Sequence, residues 1–228
     1  MSKTIAIPEA VTLKDLRQQF GLQLSPDRDF FAEWRDSPAV RQDRSEAPQA
    51  LSTPNLTAAD RAALDRIRHR YRYYTQEDLM LEESIKMMIV SPLLEIAGLY
   101  DSPFRTQFEN TIEIAVEGDE RVYRGRLDTL TIQSSFWVLV VEAKRASVSI
   151  EVGIPQTLAY MLATPHPEKP AFGLVTNGST FIFLKSFGQE NPVYGKSEQF
   201  AIDNEGDLYQ VVQIIRRIAS LISQSGEG

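Results

Sequence analysis

Hydrophobic and polar positions alternate along this chain in blocks that predict one sheet flanked by helices. Residues 11–20 suit a short helix, and Phe30-Phe-Ala-Glu-Trp34 forms an aromatic cluster. From Ser37 to Pro54 the chain is polar and holds three prolines, the composition of a loop or linker. Thr57-Ala-Ala-Asp60 reads as a capped helix start, followed by Leu64, Ile67 and Tyr71 at core spacing. A second helix is predicted from about Glu77 to Ala97, with Leu81, Ile85, Met88, Ile89 and Leu93 as its apolar stripe and Gly98 as its stop. Strands follow at Phe108–Val116 and Arg121–Ile132, with a turn at Glu117-Gly-Asp-Glu120 between them. A third strand begins at Phe136, a helix opens at Gly153 and runs through Leu162, and Ala171–Thr176 and Thr180–Lys185 form a hairpin across Asn177-Gly178. A last amphipathic helix spans roughly Asp207 to Ser223. This order predicts an α/β or α+β domain at 76–228, with helices packed on a central β-sheet, preceded by a helical and loop extension over residues 1–75.

The third strand is the unusual one. Phe136-Trp-Val-Leu-Val-Val141 is six apolar residues in a row, as in a strand covered on both faces, and it ends in Glu142-Ala-Lys144. Strand side chains alternate, so Glu142 and Lys144 share a face. Burying either charge unpaired is costly. Fourteen residues upstream, Asp128 interrupts the strand Arg124-Gly-Arg-Leu-Asp-Thr-Leu-Thr-Ile132.

Composition narrows the chemistry. The chain has 228 residues, 43% hydrophobic and 24% charged, ordinary for a globular protein with one sizeable core. It has no cysteine, which excludes disulfides and thiolate zinc sites. Its two histidines, His69 and His166, are far apart, which argues against histidine-centred hydrolases. A metal would therefore be held by oxygen, pointing to Mg²⁺ or Mn²⁺. The longest apolar run is far short of a membrane span and the start lacks a signal-peptide core, so the expected location is cytoplasmic, with no membrane partner. A net charge of −7 does not advertise nucleic-acid binding, although local patches decide.

Phosphodiester hydrolysis needs a nucleophilic water, charge neutralisation at the phosphoryl oxygens and help for the leaving alkoxide. Asp128 and Glu142 are candidate ligands for such an ion, joined by the Ala143 carbonyl, with Lys144 placed to orient or deprotonate water. Arg124 and Arg126 share the parity of Asp128 and are candidates for the phosphate backbone. Each element also has an ordinary reading. Glu-x-Lys in a strand is usually a solvated pair, Gln156 alone is a helix-start residue, and Glu82 is a first-turn acid. The arginines at 61, 66, 68, 70 and 72 read more readily as a solvated face than as a DNA groove.

Taken in order, Glu82-Glu-Ser-Ile-Lys86, Gly125-Arg-Leu-Asp128, Val141-Glu-Ala-Lys144-Arg145, Pro155-Gln156 with Ala159-Tyr160, and Val175-Thr-Asn-Gly178 resemble the PD-(D/E)XK nuclease superfamily. More narrowly, residues 77–185 resemble the N-terminal nuclease domain of type I restriction endonuclease R subunits and its stand-alone relatives. The resemblance implies a restriction-endonuclease-like α/β fold, a mixed central β-sheet flanked by helices, and a Mg²⁺-dependent DNA endonuclease of restriction or repair type. It implies Asp128 and Glu142 as metal-binding acids, Lys144 as the catalytic lysine and Gln156 as the glutamine that positions the site. Glu82 matches the helix acid that completes the metal site, with Glu83 the competing assignment. Arg145, beside Lys144, joins Arg124 and Arg126 as a candidate DNA contact. The Thr176-Asn-Gly178 turn matches a structural feature. The motor of a full R subunit is expected to be lacking, since no Gly-rich nucleotide-binding loop occurs. The implied partners are DNA and either a second copy of the chain or restriction subunits. The competing reading is a nuclease-fold DNA-binding or assembly module without turnover.

Overall fold

A computed structural model describes residues 3–6, 11–25, 31, 55–115, 121–133, 136–188 and 190–225. The strands are β1 (Lys3–Ala6), β2 (Gln23–Leu24), β3 (Phe104–Ala115), β4 (Arg121–Gln133), β5 (Phe136–Ala143), β6 (Ala171–Thr176), β7 (Thr180–Phe187) and β8 (Val193–Ala201). The helices are α1 (Leu13–Phe20), α2 (Ala58–Thr75), α3 (Glu82–Ile85), α4 (Ser91–Ala97), α5 (Gly153–Met161) and α6 (Asp207–Ser225). A π-helical turn, Lys86–Val90, joins α3 to α4 without a break. The described strands form one mixed sheet in the order β1-β4-β5-β6-β7-β8-β2, with β3 paired to β4. Strands β3, β4 and β5 are antiparallel neighbours, and β5 runs parallel to β6. A parallel pair needs a crossover, which α5 supplies. The expected class, an α/β mixed sheet flanked by helices, is the one observed.

Each face of the sheet carries its own core. Leu64 and Ile67 of α2, Ile85, Ile89 and Leu93 of the α3–α4 helix, and Leu208, Val211 and Ile215 of α6 pack together with Leu139, Val141 and Ala143. Leu16 of α1 and Ile154 and Leu158 of α5 pack with Leu127, Val140 and Val175. The continuous apolar run of β5 is thus divided by parity between two cores, each buried aliphatic side chain stabilising the fold by about 1.5–3 kcal/mol. Glu142 shares the parity of Val140 and is delivered to the α5 face.

The local signals act as the sequence suggests. Thr57 and Asp60 form the reciprocal cap of α2, with Asp60 N donating to Thr57 Oγ1 at 3.1 Å and Thr57 N to Asp60 Oδ2 at 2.9 Å. Gly98, with φ of 84°, ends α4. Arg68 Nε donates to the Ile202 carbonyl at 3.0 Å and Arg72 Nε to Asp203 Oδ1 at 2.6 Å, so part of the arginine face clamps the loop after β8. Arg216 on α6 reaches the Ile96 carbonyl at 2.7 Å and Asp60 at 3.1 Å, tying three helices together.

Three expectations are revised. The helix predicted from Glu77 begins at Glu82, and Leu81 is 65 % exposed rather than part of the stripe. Just before it, Met80 is buried and its carbonyl accepts the Ala146 N–H at 3.1 Å, which fixes the chain before the helix can start. Strand β8 was not expected, because Gly195-Lys-Ser-Glu-Gln199 lacks an apolar alternation; its pairing with β7 supplies what propensity does not. Within the segment expected to be helical and loop, β1 pairs with β4 and β2 with β8. Phe30, Trp34, the Ser37–Pro54 segment and the turn at 117–120 lie outside the described residues.

Candidate active site

The site forms where β4 and β5 part. Their ladder ends at the Thr129–Val141 pair, while β5 stays in register with β6 as far as Ala143 and Thr176. The Ala143 N–H, freed from the β4 ladder, donates instead to Asp128 Oδ2 at 2.8 Å. A side chain thus takes the place of backbone, and Asp128 is held with its carboxylate beside the end of β5. On the other side of β4, the register runs from Phe108–Thr129 to Asn110–Leu127, so Glu109 lies opposite Asp128, with φ of 53°. A non-glycine residue in this region is strained, and such strain gathers at functional sites.

Glu142 is 2 % exposed. Its Oε1 accepts from Lys144 Nζ at 2.6 Å, and its Oε2 is buried with no hydrogen-bond partner. Burial, aided by the nearby Asp128 charge and opposed by Lys144, pushes the Glu142 carboxyl up to about 8. Asp128 is also raised by burial, against the pull of Lys86 and the Ala143 N–H. Lys144 Nζ also donates to Gln156 Oε1 at 2.9 Å. Because an ammonium only donates, the amide oxygen must face it, which leaves Gln156 Nε2 to donate to Tyr160 Oη at 3.1 Å. The first turn of α5 therefore fixes the lysine. Gly153 permits this approach: a Cβ there would stand 2.6 Å from Val175 Cγ1 and 3.6 Å from both Glu142 Cγ and Lys144 Cγ.

Glu82 meets Asp128 across Lys86, whose Nζ lies 3.0 Å from Glu82 Oε1 and 2.6 Å from Asp128 Oδ1. Burial works against the Lys86 charge, but the bonds to Asp128 and Glu82 outweigh it and hold its pKa above the usual lysine value. Glu83 is exposed, which leaves Glu82 as the acid nearer the site. Among the described residues, no group of three or more His, Asp or Glu side chains is placed to hold a metal ion. Asp128 and Glu142 are two hard oxygen donors, and the orphaned Glu142 Oε2 is an acceptor that a cation would satisfy. That donor set fits Mg²⁺, which is commonly held by one or two carboxylates and keeps several waters.

The hairpin behind the site is structural. Asn177 Oδ1 accepts from Ser179 N at 3.2 Å and Thr180 N at 3.0 Å, and its Nδ2 donates to the Val148 carbonyl at 3.1 Å. The Thr176 carbonyl accepts the Lys144 N–H at 2.8 Å. Arg145 is exposed, and the side chains of Arg124 and Arg126 lie outside the described part of the structure. Sequence reasoning gave no role to Lys86, although its spacing from Glu82 was a readable i,i+4 signal.

No family model matches the chain, and no curated protein does. Among solved structures, it is similar to a chain of a DrdV–DNA complex determined by electron cryomicroscopy, with 15% identity and a TM-score of 0.47 over 68% of this chain and 14% of that one. It is also similar to a fragment of a putative HsdR subunit of a type I restriction enzyme from Vibrio vulnificus YJ016, with 21% identity and a TM-score of 0.36 over 59% of this chain and 26% of that one. The chain thus spans about a seventh and a quarter of these two neighbours. The fold is a mixed sheet flanked by helices, and it carries a buried glutamate and a partly buried aspartate beside a lysine. No helix among the described residues is long and apolar enough to cross a membrane.

Proposed function

We propose that this protein is a Mg²⁺- or Mn²⁺-dependent DNA endonuclease of the PD-(D/E)XK superfamily, of restriction or repair type, resembling the nuclease domain of type I R subunits. The observation that carries this reading is Glu142 Oε2, a buried and unpartnered carboxylate oxygen beside Asp128 and Lys144. A structural ion pair would satisfy both oxygens; a cation site leaves one open until the cation arrives. A bound divalent ion supplies Lewis acidity towards a phosphoryl oxygen and lowers the pKa of water. Asp128 and Glu142 hold it, with Glu82 as the helix acid at the edge of the site. Lys144 orients the attacking water and stabilises charge on the phosphoryl group, while Gln156 fixes the direction of Nζ. Arg145, Arg124 and Arg126 are the proposed backbone contacts. DNA as the substrate, and a second copy or restriction subunits as partners, follow from the resemblance; cytoplasmic location belongs to the same reading.

A second reading, a nuclease-fold module that binds DNA without cutting it, draws support from Lys86, a cation already seated on Asp128. Incubation with supercoiled plasmid and millimolar Mg²⁺ or Mn²⁺ separates the two. The nuclease reading expects metal-dependent nicking or linearisation that Asp128→Ala and Lys144→Ala abolish. Salt-sensitive binding with no cleavage in either metal would refute it in favour of the silent module.

A further inference from the structure

Lys86 is the charged group at the site that the proposed chemistry leaves unused. By spacing alone it is an ordinary helical partner of Glu82. The structure gives it more. It is the first residue of the π-helical turn, a distortion that recurs at functional sites, and its Nζ bridges carboxylates from two separate elements, Glu82 on α3 and Asp128 on β4. Joining two carboxylates is also what a divalent ion does. With Lys86 on Oδ1 and the Ala143 N–H on Oδ2, both oxygens of Asp128 are engaged, while Glu142 keeps Oε2 open.

We propose that Lys86 is a tethered cation that competes with the divalent ion for Asp128, so that metal binds only as the ammonium leaves. This rests on the reading of Asp128 and Glu142 as the ion-holding pair. An ion shared by those two acids would stand beside an ammonium already paired with Asp128, and like charges in a partly buried site repel strongly. The lysine has somewhere to go, because Glu82 Oε1 is already 3.0 Å from its Nζ. A phosphate arriving with DNA offers a second destination, which couples substrate binding to metal binding. In the metal-free protein, the same contact keeps Asp128 paired.

Calorimetric titration with Mn²⁺ alone, without DNA, tests this on the full chain. Lys86→Met keeps the length of the side chain and removes its charge, and Lys86→Arg keeps the charge. Lys86→Met is expected to bind Mn²⁺ about tenfold more tightly than wild type, the release of one like-charge contact, and Lys86→Arg to stay within about threefold of wild type. Adding Asp128→Asn to Lys86→Met should erase the gain, and thermal unfolding checks that each variant is folded. Equal or weaker binding by Lys86→Met, with wild type binding measurably, overturns the competition while leaving the ion site intact. Absence of binding in every variant overturns both the inference and the ion site on which it rests.

Discussion

Relative to wild type, Glu142→Gln in the metal-free protein should gain stability steadily as pH rises, less stable at pH 5 and more stable at pH 7 and above. Glu142 is 2 % exposed and its carboxyl is pushed up from 4.5 to about 8, chiefly by burial. Between those values the folded state keeps a proton that the unfolded chain has released. A folded state that binds more protons loses stability as pH rises, at about 1.4 kcal/mol per pH unit across the window. At pH 7 the ionisation cost is on the order of 3 kcal/mol, and between pH 5 and pH 8 it grows by about the same amount. The amide does not titrate, so Glu142→Gln removes this slope. It still offers Lys144 an acceptor, and its unpartnered NH₂ subtracts a roughly constant 1–3 kcal/mol at every pH. The assay is urea unfolding in chelator at pH 5, 6, 7 and 8. The stability of the variant relative to wild type should rise steadily with pH, a contribution distinct from Asp128, which titrates in both. Saturating Mn²⁺ should flatten the slope in wild type alone. Parallel stability curves for the two proteins across this range would refute the argument, because Glu142 would then be titrating alike in folded and unfolded states.

Two glycines test how the site is supported. Gly178→Ala places a side chain at φ of 84° with its Cβ 3.0 Å from Ile85 Cγ1, and should cost about 1–3 kcal/mol, seen as a lower urea midpoint; an unchanged midpoint would mean that the turn and the α3 helix do not meet as described. Gly153→Ala places a Cβ 2.6 Å from Val175 Cγ1 and should cost about 1–3 kcal/mol by overpacking. Because Gly153 also stands against Glu142 and Lys144, the plasmid-nicking rate of the folded variant should fall as well.

The sequence carried most of the framework because its strongest signals are local. The Thr57–Asp60 cap, the stop at Gly98 and the Asn177-Gly178 hairpin each depend on a few neighbouring residues, and each forms as read. β8 and the two N-terminal strands were not legible, since β8 is polar through its middle and the other two are four and two residues long, and such strands owe their existence to partners distant in sequence. The proposed site was half visible. Glu142 and Lys144 could be placed on one face by parity, and Asp128 recognised by its interruption of an apolar strand. Neither parity nor spacing could show that Asp128 takes over a backbone N–H where the ladder ends, or that Lys86 crosses from a helix to reach it. Those contacts depend on where β4 and β5 diverge, a property of the assembled sheet.

That divergence makes Asp128 a structural residue as well as a candidate ligand, and the two roles can be separated. One oxygen accepts the Ala143 N–H at 2.8 Å and the other meets Lys86 Nζ at 2.6 Å. Asp128→Ala deletes both acceptors, leaving a backbone donor and an ammonium without their partner in a partly buried place, a loss of about 1–3 kcal/mol or more. Asp128→Asn retains a carbonyl oxygen for the Ala143 N–H, while its amide nitrogen can offer Lys86 only a second donor. Stability measured in chelator should therefore fall in the order wild type, Asp128→Asn, Asp128→Ala, whereas plasmid nicking should vanish in both variants. If the two variants were equally stable, the carboxylate would not be holding the end of β5. If Asp128→Asn cut DNA at the wild-type rate, the aspartate would be part of the sheet and not of the chemistry.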